Sequence, residues 1–139
     1  MRKYYLFIIK KEYYNIYKDK SYVLYKIIEN LYKLRAYDFS YGIKIYKKIC
    51  LPFAVKVLNN YLNKRIKHKK LNDKVIKIYS EFENTYIQIN YSCIVVKSDV
   101  NMPQIMKILN IYNKNIFVVD FNNIDYFWLN DYFKATIIN

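Results

Sequence analysis

The stretch Ile116-Phe117-Val118-Val119-Asp120-Phe121-Asn122-Asn123-Ile124-Asp125-Tyr126-Phe127-Trp128-Leu129 decides the fold. Ile116 to Asp120 is an apolar, β-branched run without polar alternation, the pattern of a strand covered on both faces. Asn122 to Asp125 is a polar turn, and Tyr126 to Leu129 reads as a strand pairing back on the first. Only one other segment has the same unbroken character, Tyr4-Tyr5-Leu6-Phe7-Ile8-Ile9 near the start. Both runs need cover on two sides, so both are expected in one sheet. Upstream of Ile116, Asn101-Met102-Pro103-Gln104 offers an N-cap, a first-turn proline and a glutamine three after the cap. Ile105, Ile108, Leu109 and Tyr112 then recur on one helical face.

Further upstream the period falls to two. Ile76, Ile78, Ser80 and Phe82 alternate with Lys77, Tyr79, Glu81 and Glu83, and Ile87 and Ile89 alternate with Gln88 and Asn90. Asn84 marks the turn between them, and Cys93 to Val96 reads as a further strand. The block from about 11 to 63 is helical instead. Ser21 is expected to cap a helix with Leu24, Ile28 and Leu31 on one stripe, running to about Leu34. Asp38 or Ser40 starts the next, through Ile45 and Ile49, and Pro52 opens another at its first turn, with Ala54, Val57, Leu58, Tyr61 and Leu62 inward. The order of elements predicts one α+β domain spanning 1–139: a mixed sheet with an N-terminal strand, the helical block, and a C-terminal strand-helix-strand region.

Composition bounds the chemistry. A chain of 139 residues, 54% hydrophobic, can bury a core without staples. Gly42 is its one glycine, which excludes the glycine-rich loops of Walker and Rossmann sites. Cys50 and Cys93 lie far apart among aliphatic residues, against both a metal cluster and a disulfide framework, and no cofactor is expected. No secretory signal or bilayer-spanning run is visible, so the cytoplasm is the expected compartment and no membrane partner is implied. The net charge is +13, and Lys, Ile, Asn and Tyr, whose codons are rich in A and T, make 76 of 139 residues. Genome composition therefore accounts for part of the lysine. Its distribution is more informative: residues 1–70 hold 18 Lys and Arg against 4 Asp and Glu, whereas 71–139 hold 6 against 7. A basic, partner-facing half follows, suited to phosphate or to an acidic protein surface.

Catalytic arrangements are hard to assemble. His68, the single histidine, stands inside the run Lys64-Arg65-Ile66-Lys67-His68-Lys69-Lys70, which reads as a solvated loop. Glu81 and Glu83 read as one solvated hairpin face, and Asp120 as an Asx-turn residue, so no enzyme is expected. The basic run together with 18 tyrosines makes a small nucleic-acid-binding domain the alternative function. Tyr13 and Tyr17, four apart, share one face if 11–18 is helical. Such a pair serves equally as an exposed partner anchor or as packing on the sheet. Trp128 reads as core.

Two segments carry a resemblance. Arg2-Lys3-Tyr4-Tyr5-Leu6-Phe7-Ile8-Ile9-Lys10-Lys11-Glu12-Tyr13-Tyr14-Asn15-Ile16-Tyr17 resembles the start of the sporulation inhibitor of replication (SirA) family. Asp120-Phe121-Asn122, three residues, then Tyr126-Phe127-Trp128-Leu129-Asn130 is similar to that family's ending. The resemblance implies a small cytoplasmic regulator from low-GC Gram-positive bacteria. Its expected partner is the N-terminal domain of the replication initiator DnaA, without direct nucleic-acid contact. It places Tyr13 and Tyr17 in the contact surface. Family members carry proline after Trp-Leu-Asn near a second part of that surface. This chain has Asp131 there, so Asn130 and Asp131 are the corresponding positions.

Overall fold

The chain's structure, a computed structural model, describes residues 1–34, 39–72 and 74–138. In chain order the elements are β1 (Arg2–Ile9), α1 (Lys11–Tyr17), α2 (Ser21–Tyr32), α3 (Phe39–Ile49), β2 (Cys50–Leu51), α4 (Val55–Asn63) and β3 (His68–Lys70). There follow β4 (Val75–Ile78), β5 (Thr85–Ile89), β6 (Ile94–Ser98), α5 (Ile105–Tyr112), β7 (Ile116–Asp120), β8 (Asp125–Trp128) and α6 (Leu129–Ile138). Among the described residues the strands form one sheet in the order β3-β4-β5-β6-β1-β7-β8, with β2 pairing the far end of β1. The fold is α+β.

The two unbroken apolar runs do lie side by side: β1 pairs β7 from Tyr5↔Val119 to Ile8↔Ile116, and every residue of β7 is buried. The expected mixture of strand directions is corrected. Every pairing among the described residues is antiparallel. The crossover through α5 does bring β7 parallel to β6, but β1 sits between them and runs against both. This split arrangement explains why the first strand must be apolar on both sides.

Alternation along β1 feeds two cores. Tyr4, Leu6 and Ile8 enter one with Leu58 and Leu62 of α4, Ile105, Met106 and Leu109 of α5, and Leu129 of α6. Ile9 on the opposite face joins Leu24, Tyr25 and Ile28 of α2, Ile49, Cys50, Phe117, Val119 and Trp128. Three layers result, with α1–α3 on one face of the sheet and α4–α6 on the other. The α1–α3 layer leaves the β4–β5 end uncovered, where Lys77 and Gln88 are only half-buried.

Several local expectations need correction. Ser21 is already helical and Lys20 holds the cap position, without a side-chain cap. Asp38 as the start of α3 lies outside the described residues. Pro52 precedes α4 by three residues, because Cys50 and Leu51 first add β2 to the end of β1, and Val57 is exposed. The basic run is a solvated loop only over residues 64–67; its second part, His68–Lys70, forms an edge strand on β4, where lysines discourage further pairing. His68 is half-buried there, with Nδ1 3.1 Å from the Ile66 carbonyl. Strand β4 ends at Ile78, which leaves Phe82 out in solvent and frees Glu83 to turn inward. The chain also closes on α6 rather than on a strand.

The inward turn of Glu83 sets the start of α5. Its Oε2 accepts the Gln104 backbone N–H at 3.3 Å, and its Oε1 accepts the Thr85 hydroxyl at 2.8 Å. Asn101 does not cap, since its Oδ1 accepts from Arg2 at 3.2 Å, and Met102 at φ 52 turns the chain so that the helix begins beyond Pro103. Thr85 also lies 2.8 Å from Ser98 Oγ, and both residues are buried. Thr85→Val keeps the shape but strands Glu83 Oε1 and removes the Ser98 hydroxyl's bond to Thr85, while Ser98 Oγ still accepts the Val100 N–H. A loss of about 1–3 kcal/mol is expected, read as a lower urea midpoint at unchanged slope.

Candidate protein-contact surface

Strand β1 ends where α1 begins, and two backbone bonds fix the joint: Ile9 N–H to the Asn115 carbonyl at 3.0 Å and Lys10 N–H to the Ile49 carbonyl at 2.8 Å. A helix as short as α1 is not stable by itself. It is held instead by Tyr13, Tyr14 and Tyr17, which pack half-buried against the core of the α1–α3 layer. No residue of α1 is fully buried. Tyr13 and Tyr17 therefore pack on the core side that their spacing allows, yet each stays half-buried rather than enclosed. Ile16, 53% exposed, adds an apolar group on the outer side of the same helix, and Tyr22 and Val23 stand exposed where α2 begins.

Charge surrounds this patch. Lys11, Lys18 and Lys20 are exposed and Lys10 is half-buried, against Glu12 and Asp19. The excess is positive and solvated, so it acts at long range and is screened by salt. Behind the patch, Tyr14 meets Trp128 edge-on at 4.8 Å between ring centres, and Trp128 meets Phe117 at 5.0 Å. Spacing arguments that stop at Tyr13 and Tyr17 miss Tyr14. It is three residues from Tyr17, and that separation alone placed it on the inward stripe.

Asn130 and Asp131 open α6. The register Phe7↔Phe117↔Trp128 brings the end of β8, and hence the start of α6, to the same end of the sheet as α1. Asn130 is half-buried and its Oδ1 accepts from Asn110 of α5 at 3.3 Å, while Asp131 is exposed in the first turn. The tyrosine pair and the Asn130/Asp131 pair thus share one end of the sheet but belong to opposite helical layers, with Trp128 between them.

The acids read from sequence as candidates have structural duties. Asp120 forms the Asx turn: its Oδ1 accepts the Asn123 backbone N–H at 3.2 Å and its Oδ2 the Asn123 amide at 2.7 Å. Arg2 also donates to it at 2.9 Å. Glu83, expected on a solvated face, is buried under α5 as described above. Burial pushes the Cys50 thiol up to about 12 and raises Cys93 as well, so neither is an activated nucleophile. No protein-family model matches the chain, and no curated protein matches it.

Proposed function

We propose that this chain is a non-enzymatic cytoplasmic inhibitor of replication initiation that binds the N-terminal domain of DnaA through α1. The observation that carries the reading is that Tyr13 and Tyr17 share one half-open face of a helix with no fully buried residue. Half-buried tyrosines lose little side-chain freedom on binding, since the core already restricts them, and aromatic side chains of this kind dominate interface energetics. The segments that resemble the inhibitor family supply this helix and, through Trp128, the packing behind it.

Inhibition on this reading is occlusion. Once the initiator's domain is covered, it no longer supports self-association or recruitment of loading factors. The lysines around α1 steer an acidic partner surface toward the tyrosines and raise the association rate more than the affinity. Asn130 and Asp131 lie at the same end of the sheet and are the rim positions to examine for a second contact.

A pull-down with the folded DnaA N-terminal domain tests this. Binding tighter than roughly tens of micromolar is expected, and its absence ends the proposal. A salt titration against single- and double-stranded DNA separates the nucleic-acid alternative, which would use the basic run 64–70, with Lys64, Arg65, Lys67, Lys69 and Lys70 exposed. Phosphate binding falls steeply with salt, whereas a contact centred on two tyrosines falls much less.

A further inference from the structure

A cavity of about 630 Å³ opens between β1, α2, α3 and the turn before β6. Its inner wall includes Phe7, Ile28, Cys50 and Cys93, and exposed Tyr32 and Lys47 stand at its mouth. The register explains why both cysteines meet there. Cys50 opposes Ile9, and Cys93 adjoins the Leu6↔Ile94 pair and so flanks Phe7, on the same face of β1. Because burial raises both thiols, they are neutral at pH 7 and present the cavity with polarizable, uncharged surface. Among the described residues that line the cavity there is no Asp or Glu, and Lys47 is the one cation.

Volume, apolar wall and a charged group at the entrance are the properties of a small-ligand site. We infer that this cavity binds a single-chain amphiphilic carboxylate, with the hydrocarbon chain against Phe7, Ile28 and the cysteines and the carboxylate at Lys47. The charge at the mouth selects the class: Lys47 pairs an anionic head and repels a cationic one, and no Asp or Glu stands among the described lining residues. The inference is independent of DnaA binding, since α1 contributes no residue to the cavity.

Decanoate serves as the probe and the chain's own thiols as the reporter. A neutral disulfide reagent modifies half-buried Cys93, and peptide mapping follows its rate in the full-length protein. Saturable protection by decanoate is expected, with no equivalent protection by decyltrimethylammonium. Lys47→Glu turns an attraction into a repulsion and should weaken protection about tenfold. Lys48→Glu makes the same change in net charge beside the site, and Lys48 does not line the cavity. It should alter protection by less than about twofold, as expected of a screened surface charge. Failure of decanoate to protect up to about 1 mM would overturn the inference, since the affinity would then be too weak for a built site. Equal protection by the cationic amphiphile, or equal effects of the two lysine substitutions, would do the same.

Discussion

Trp128→Ala is expected to lower folding stability by about 3–5 kcal/mol, the range for deleting a large buried aromatic. Trp128 is 2% exposed and lies between Phe117 of the sheet and Tyr14 of α1, so the cavity left by its removal has a rigid floor and cannot collapse easily. The loss should spread to α1, whose inner ring packs on the indole. Trp128→Phe is expected to cost less than its volume change implies. The indole Nε1 is buried without a hydrogen-bond partner among the described residues, and phenylalanine removes that unpaired donor. Because Trp128 is the single tryptophan, unfolding must be followed by far-ultraviolet circular dichroism rather than by tryptophan fluorescence.

Asp120→Ala is the second large effect, about 3 kcal/mol, the low end for breaking a buried ion pair because Arg2 keeps partial access to water. The carboxylate joins the first strand to the last turn. Arg2 bridges Asp120 and Asp125, each at 2.9 Å, and Asn123 donates twice to Asp120. Those bonds also restrain Ile124, a β-branched residue at φ 51 that would otherwise leave the left-handed region. Burial pushes the Asp120 carboxyl up, but the bonds from Asn123 and Arg2 together outweigh it and hold the group below the usual carboxylate range. A depressed carboxyl contributes stability that is complete above its unfolded value, about 3.9, and is lost as pH falls through the folded value. Acid unfolding below about pH 4 should therefore flatten in Asp120→Asn. An unchanged acid limb would show that the carboxylate contributes nothing there.

How far the sequence carried can be judged element by element. The two unbroken runs in β1 and β7 were legible because burial on both faces leaves no room for polar alternation, and Trp128 as core was legible because a tryptophan in an aromatic strand is more often packed than in contact. Strand direction was not legible, since apolarity records how many faces are covered and says nothing of which way the neighbour runs. Helix α6 was missed because Leu129 continues the aromatic run of β8 while already beginning the next turn. Glu83 was misplaced because period two was extended past Ile78, although the chain leaves the sheet there to pair Glu83 with Thr85 and with the start of α5. Among candidate contact residues, the shared face of Tyr13 and Tyr17 was legible from their spacing. Their half-burial was not, because it depends on Tyr14 finding Trp128 more than a hundred positions away along the chain.

One pair of measurements bears most directly on the proposed contact: affinity for the DnaA N-terminal domain and melting temperature, taken together on the native chain, Tyr13→Ala and Tyr17→Ala. Since both rings are half-buried, a modest fall in melting temperature is expected, smaller than that of Trp128→Ala. Affinity should fall by about 2 kcal/mol or more, roughly thirtyfold, at a temperature where each variant is still folded. Native-like affinity in a folded Tyr13→Ala or Tyr17→Ala variant would contradict the account and remove α1 as the contact surface.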